Sequence, residues 1–248
     1  MTLATTDRPG DGPTLVLMHG LGDTRQAMAR LTERLVGWRV VTVDLRGHGD
    51  SPTGPWSWSA AVEDLDEVVE RHGLTDPLVG GHSLGGMVAL QYALAGRAVS
   101  GVVNLDGWGP GVPERHLGED PIAVKEQLGR IASGRLPLLA RVLTSRSRQV
   151  REGTTRQVLE QLSGADVVAW HRDCPVRSLA VHALRTPPLP LLGKDLARMQ
   201  AAHHRGLSRE LAALPDRVTV VELDATHGLH RTHAQQVADA VLTWSSGA

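Results

Sequence analysis

Phenylalanine is absent from this 248-residue chain and tyrosine occurs once, so aliphatic side chains must fill its core. The six tryptophans then become candidates for specific contacts. Cys174 is the single cysteine, which excludes an internal disulfide and suits a reducing compartment. Without a glycine turn around it, Cys174 reads as a buried, inert thiol. Neither sign of charge dominates: 26 basic residues face 27 acidic ones, so nothing points to the surface of a nucleic-acid or membrane binder. No apolar run reaches the ~20 residues of a membrane span. Met1 to Pro13 is polar and lacks the basic-then-apolar order of a secretion signal, so a cytoplasmic location is expected.

What is present begins at Gly81-His82-Ser83-Leu84-Gly85. Before this motif stands Asp76-Pro77-Leu78-Val79-Gly80, short and apolar like a buried strand. After it, Gly86 to Leu94 runs without a breaker, as a helix would. A strand turning sharply into a helix around a serine lifts that side chain above the carboxyl edge of a sheet, where it can attack a carbonyl. The glycines keep other side chains out of the bend.

The same alternation runs along most of the chain. Thr14–Met18, Arg39–Val43 and Val99–Leu105 read as strands buried on both faces. Asp23 or Thr24 is placed to cap a helix running to about Val36, and Ser59 to cap one ending at His72. Strands are expected again at Leu189–Leu192 and Val218–Leu223, with helices over about 196–214 and 233–244. Six strands alternating with helices predict a mostly parallel, doubly wound sheet. Between Trp108 and about Thr186 the pattern is helical and rich in arginine, too long for an ordinary loop. The expected organisation is an α/β core formed by 1–107 and 187–248, with 108–186 inserted as a helical lid.

With the elbow, the His19-Gly20-Leu21-Gly22 turn and the Arg46-Gly47-His48-Gly49-Asp50-Ser51 loop in this order, the chain resembles the α/β-hydrolase family. The match covers about two-thirds of the chain, and Gly81-His82-Ser83-Leu84-Gly85-Gly86 is its most specific part. The resemblance implies a lid at this point and a triad in chain order Ser, acid, His. The antiparallel hairpin that commonly opens the family is expected to be shortened or missing, because so few residues precede the first strong strand.

A serine hydroxyl needs a base. His227, in Asp224-Ala225-Thr226-His227-Gly228 after the last strand, occupies the loop where family members keep theirs; His230 and His233 are its rivals. Metal binding by these histidines is not expected, since no carboxylate or thiolate accompanies them on a clear helix face. For the orienting acid, Asp106 at the end of Val103-Asn104-Leu105-Asp106-Gly107 is preferred, as in certain haloalkane dehalogenases and lactonases. Asp195, after the following strand, is the alternative. The backbone N–H groups of Leu84 and Leu21 are the expected oxyanion donors. His19 reads as a structural hydrogen-bonder, Asp44 to Asp50 as a supporting charged loop, and His82 as having no proton-transfer role.

Trp108 is placed to wall an acyl pocket, and Trp56 and Trp58 to line its entrance. His203-His204 reads as surface. The inserted region carries 12 basic against eight acidic residues, best explained as a solvated helix face, though it would also suit an acidic acyl substrate such as a coenzyme A ester. The expected activity is hydrolysis of a carboxylic ester or lactone in a small, largely apolar molecule, with no cofactor. A thioesterase comes second, and lyase, perhydrolase or C–C hydrolase chemistry on the same scaffold third. A non-catalytic ligand receptor is the remaining class, disfavoured by the complete set of candidate triad residues. No nucleic-acid or membrane partner is expected, and nothing in the sequence fixes an oligomeric state.

Overall fold

The computed structural model describes residues 1–108, 150, 153–185, 193–214 and 217–247, without the side chains of 193–201. Its centre is a seven-stranded sheet of β1 (Thr5–Arg8), β2 (Thr14–Met18), β3 (Arg39–Val43), β4 (Leu78–His82), β5 (Gly101–Leu105), β6 (Ser178–Ala183) and β7 (Val218–Leu223). The spatial order is β1-β3-β2-β4-β5-β6-β7. Every pairing is parallel except that of β1 with β3.

Alternation along each strand explains why both faces are covered. On β2, Val16 and Met18 enter one core, while Leu15 and Leu17 enter the other. The first core is closed by α2 (Trp58–Arg71) and α3 (Leu84–Leu94), through Val62, Leu65, Met87 and Leu90. The second is closed by α1 (Ala29–Arg34) and the last helix, through Leu31, Val237, Val241 and Trp244. Burying each such aliphatic side chain contributes about 1.5–3 kcal/mol, so the continuous apolar runs are what secure a sheet with two covered faces.

Within the stretch assigned to the lid lie α4 (Thr154–Leu162) and α5 (Val167–Asp173). Val158, Val167 and Cys174 join the first core, so this end of the insertion is packed against the sheet. Cys174 is a free, buried thiol pushed upward by its burial. The remainder of the expected lid, 109–149, lies outside the described residues. Among the described residues three further helices follow: α6 (Gly193–Ala212), α7 (Leu229–Thr232) and α8 (Ala234–Ser246).

Several expectations need correction. The opening of the sheet is not among them: it is shortened as expected, to a single antiparallel strand, β1, whose pattern is too polar to stand out in the sequence. The boundary at 186 falls too late, because Ser178–Ala183 is a core strand. The expected strand at Leu189–Leu192 lies outside the described residues. Ser57, not Ser59, caps α2, accepting from the Ala60 amide at 3.1 Å. The first helical segment opens as a 3₁₀ turn, Arg25–Met28, with Thr24 at its cap position but making no side-chain cap bond.

Candidate active site

Ser83 stands between β4 and α3 with φ 53° and ψ −116°, a conformation that L residues avoid and that costs about 1–3 kcal/mol. The bend survives because its surroundings fix it. The Ser83 amide donates to the Leu105 carbonyl at 2.8 Å, and the Gly86 and Met87 amides donate to the Ser83 carbonyl. Close packing demands the flanking glycines: a Cβ at Gly81 would lie 2.6 Å from the Met18 carbonyl oxygen, and one at Gly85 would meet the same atom at 2.6 Å. The serine therefore sits on a rigid corner, and its side chain is half-buried.

His227 lies in the loop after β7. Its Nδ1 meets Asp106 Oδ2 at 2.7 Å. Asp106 is almost fully buried while the His227 side chain is 42% exposed, so the acid is inside and the ring reaches outward. The other carboxylate oxygen, Oδ1, accepts from the Ala183 amide at 2.9 Å. Burial works to raise the Asp106 pKa, but the His227 hydrogen bond and charge, with the Ala183 amide, outweigh it and hold the acid below its usual range. With the carboxylate ionised, Nδ1 of His227 carries the proton and donates, leaving Nε2 as the acceptor.

The neighbour of Ser83 in the chain, His82, reaches the loop that carries His227. His82 Nε2 lies 2.6 Å from the His227 carbonyl oxygen, and the two rings are 4.5 Å apart. The elbow and the histidine loop thus share one edge of the sheet. Of the rival histidines, His230 is buried and its ring nitrogens find no hydrogen-bond partner among the described residues, while His233 is half-exposed and meets Thr232 Oγ1 at 2.9 Å. Neither bonds the acid. Asp195 falls in the first turn of α6.

The Asp106 turn has its own support. Asp106 adopts φ 54° and leads into Gly107. Asn104 grips Gly107 from both sides, its Nδ2 donating to the Gly107 carbonyl and its Oδ1 accepting from the Gly107 amide, each at 2.9 Å. Nδ2 also meets His171 Nε2 at 3.1 Å, and His171 Nδ1 meets Ser178 Oγ at 2.8 Å. Burial lowers the His171 pKa to about 3, so it stays neutral and can serve as acceptor at Nε2. Sequence reasoning missed Asn104; the available signal was a polar residue inside an apolar strand, which must find partners when buried.

The two expected oxyanion donors are placed by their turns. Leu84 opens α3, so its N–H has no carbonyl one turn back within the helix. For Leu21, the Gly20 carbonyl accepts from His19 Nδ1 at 2.8 Å and from the Asp23 amide at 3.1 Å. Because the peptide is planar and trans, the Leu21 N–H points away from that carbonyl. His19 accepts the Leu45 amide at Nε2 (3.0 Å), which fixes the proton on Nδ1. Burial, with His48 nearby, lowers its pKa to about 3. The charged loop is anchored as well: Asp44 accepts the Arg25 and Asp50 amides, and Arg46 Nε donates to Asp64 at 2.6 Å.

Trp108 is half-buried among histidines, with ring centroids 6.1 Å from His227, 4.6 Å from His204 and 5.4 Å from His203. The pair His203-His204 is buried, not at the surface as expected. His204 Nδ1 donates to the carbonyl of Ala183, the residue whose amide holds Asp106. The signal was legible: His203, Leu207 and Leu211 are spaced four apart on one helix face. Trp56 is likewise core, its side chain buried in the first cluster, whereas Trp58 is half-buried and meets Trp170 edge-on at 5.2 Å. Among the described residues no group of acidic, histidine or cysteine side chains has the arrangement of a metal site, and no helix is long and apolar enough to cross a membrane.

A strand–Ser–helix elbow, a strand-end carboxylate bonded to a histidine after the last strand, and a mostly parallel sheet define an α/β hydrolase. The family profile for "Alpha/beta hydrolase family" matches residues 15–240, and the chain belongs to that family. It is 28% identical to the mouse (Mus musculus) sn-1-specific diacylglycerol lipase ABHD11, over 94% of this chain and 80% of that protein. Among solved structures, it superposes on the enol-lactonase from Burkholderia xenovorans with a TM-score of 0.67 at 21% identity, covering 98% of this chain and 95% of that one. A thermophilic esterase from Thermogutta terrifontis gives a TM-score of 0.68 at 20% identity, covering 99% and 93%. At these identities the structures testify to the fold alone.

Proposed function

We propose that the chain is a serine hydrolase that cleaves a carboxylic ester or lactone of a small, largely apolar substrate, with Ser83 as nucleophile, His227 as base and Asp106 as orienting acid. The 2.7 Å bond between Asp106 and His227, beside a strained Ser83, is the observation that carries this reading. A carboxylate fully committed to Nδ1 and a backbone amide leaves Nε2 of His227 free to take the Ser83 proton. Ser83 Oγ then bonds the substrate carbonyl carbon, and the oxygen becomes negative between the Leu21 and Leu84 amides. Collapse breaks the ester bond, His227 returns the proton to the departing alkoxide, and an acyl-Ser83 remains. Water, deprotonated by His227, repeats the sequence to release the acid.

Trp108 supplies an apolar wall next to the base in this reading. The relative named as a diacylglycerol lipase favours ester-type bonds over other chemistry on the scaffold. The test is labelling with a fluorophosphonate, followed by turnover on a panel of p-nitrophenyl esters, lactones and acyl-thioesters. Ser83 is expected to carry the label, and Ser83→Ala to lose both label and turnover. Labelling elsewhere, or an S83A protein that still turns over, would overturn the assignment.

A further inference from the structure

His82 occupies the variable position of the elbow, where the motif requires no particular side chain, yet it is buried and aimed at the base loop. Its Nε2 lies 2.6 Å from the His227 carbonyl oxygen. A carbonyl only accepts, so Nε2 carries the hydrogen and donates. Nδ1 is then a bare lone pair, and it has no hydrogen-bond partner among the described residues. It points at the oxyanion turn, since a Cβ on Gly20 would lie 2.8 Å from it. The ring of His230, from α7, stacks on His82 at 4.0 Å with an interplanar angle of 37°. One side chain thus meets the base loop twice, at the backbone of residue 227 and at the ring of residue 230.

Geometry gives this contact a purpose. The His227 side chain is substantially exposed and sits on a loop, whereas its role requires Nε2 to hold a fixed place relative to Ser83. Asp106 fixes the ring through Nδ1, and the loop backbone is tied on either side, the Ala225 carbonyl accepting from the Arg185 amide and the Gly228 carbonyl from the Arg231 amide, so the tie at residue 227 itself falls to His82. We propose that His82 is a positioning residue: its Nε2–H clamps the His227 carbonyl to the strand that carries Ser83, and so sets the distance between nucleophile and base. Burial, with His230 and His227 nearby, also holds His82 well below its ordinary pKa, so the ring stays neutral and keeps its single donor. The inference rests on the serine-hydrolase reading for its kinetic consequence, but not for the hydrogen bond itself.

Two substitutions separate the donor from the ring. His82→Phe keeps the packing against His227 and His230 and loses the donor; His82→Gln loses the ring and keeps an N–H near the Nε2 position. If His82 acts through its bond, H82F slows fluorophosphonate labelling and kcat by on the order of 10- to 100-fold with KM little changed, and H82Q restores most of the rate. An H82F protein that labels as fast as the wild type, or an H82Q protein no better than H82F, would overturn the proposal. Nitrogen-15 NMR of the wild-type histidines decides the bond without any variant. His82 is expected as the neutral Nε2–H tautomer, and the Nδ1–H tautomer would end the clamp. If the wild type never labels at Ser83, the hydrolase reading fails, and the tautomer alone still rules on the contact.

Discussion

Asp106 and His227 are separated by 121 positions in the chain and joined by a 2.7 Å hydrogen bond, and the second oxygen of the same carboxylate is held by the Ala183 amide. That double commitment predicts the effect of Asp106→Asn. The Ala183 N–H requires an oxygen, so the new amide nitrogen faces His227 and donates to Nδ1. His227 must then carry its proton on Nε2, where it cannot accept from Ser83. We expect kcat to fall by on the order of 10⁴-fold with KM little changed, while Asp195→Asn remains near wild type. Steady-state kinetics on a p-nitrophenyl ester checks both, and near-normal turnover in D106N would move the acid elsewhere.

The parts of this fold that could be read in advance are those where one physical signal dominates. Thr14–Met18, Arg39–Val43 and Gly101–Leu105 are largely buried, so each carries a run of apolar residues that stands out despite Thr42 and Asn104. β1 pairs on one side only and shows a partly exposed Thr-Thr-Asp-Arg pattern, which carries no such signal. β6 was obscured by Ser178 and His182, polar residues inside a buried strand. Their partners, His171 and Ser208, lie 7 and 26 positions away and are invisible to local pattern. Ser83 and His227 stood out as candidate nucleophile and base because a tight turn and a chain-order rule point to them. The Asn104 grip and the histidines around Trp108 depend on contacts made only in three dimensions.

Asn104 offers a sharper test of the acid's turn. Its side chain makes both hydrogen bonds to Gly107, and its oxygen leaves no room for a Cβ at Gly86 or Gly107, each of which would approach it to 2.3 Å. Asn104→Ala leaves the Gly107 N–H and C=O and the Nε2 of His171 without these partners in a buried site. A loss of about 1–3 kcal/mol per unsatisfied group sets the scale of destabilisation. Urea unfolding is expected to show it, together with a lower kcat as the Asp106 turn loosens. Unchanged stability would mean that water or a neighbour replaces the amide.

Glycine positions discriminate between packing and flexibility. A methyl at Gly85 collides with the backbone of Met18 and His19, whereas one at Gly164 meets nothing within 4 Å. Backbone cannot swing aside as a side chain does, so Gly85→Ala must move β2 against the elbow. We expect a lowered urea midpoint corresponding to about 1–3 kcal/mol or more and loss of Ser83 labelling. Gly164→Ala is expected to stay within about 0.5 kcal/mol of wild type. Equal behaviour of the two variants would show that the elbow is not tightly packed.

Acid should unfold this protein through its histidines before its carboxylates. His19, His171 and His230 are buried and neutral, with pKa values lowered to about 3, burial being the first cause in each. In the unfolded chain such rings titrate near 6.5, so between about pH 6.5 and 3 the unfolded state binds more protons than the folded one. Stability therefore rises with pH across that window and is lost as pH falls through it, by about 1.4 kcal/mol per pH unit for each such ring once pH is below 6.5. Asp106 adds a further loss only at lower pH, because its depressed pKa matters below the ordinary carboxylate value. Urea unfolding at pH 7.5, 6.5 and 5.5 is expected to show a steep decline over the last interval, and His171→Gln a shallower one. A free energy of unfolding that stays level from pH 7 to 5 would mean that these rings gain their protons without leaving the fold.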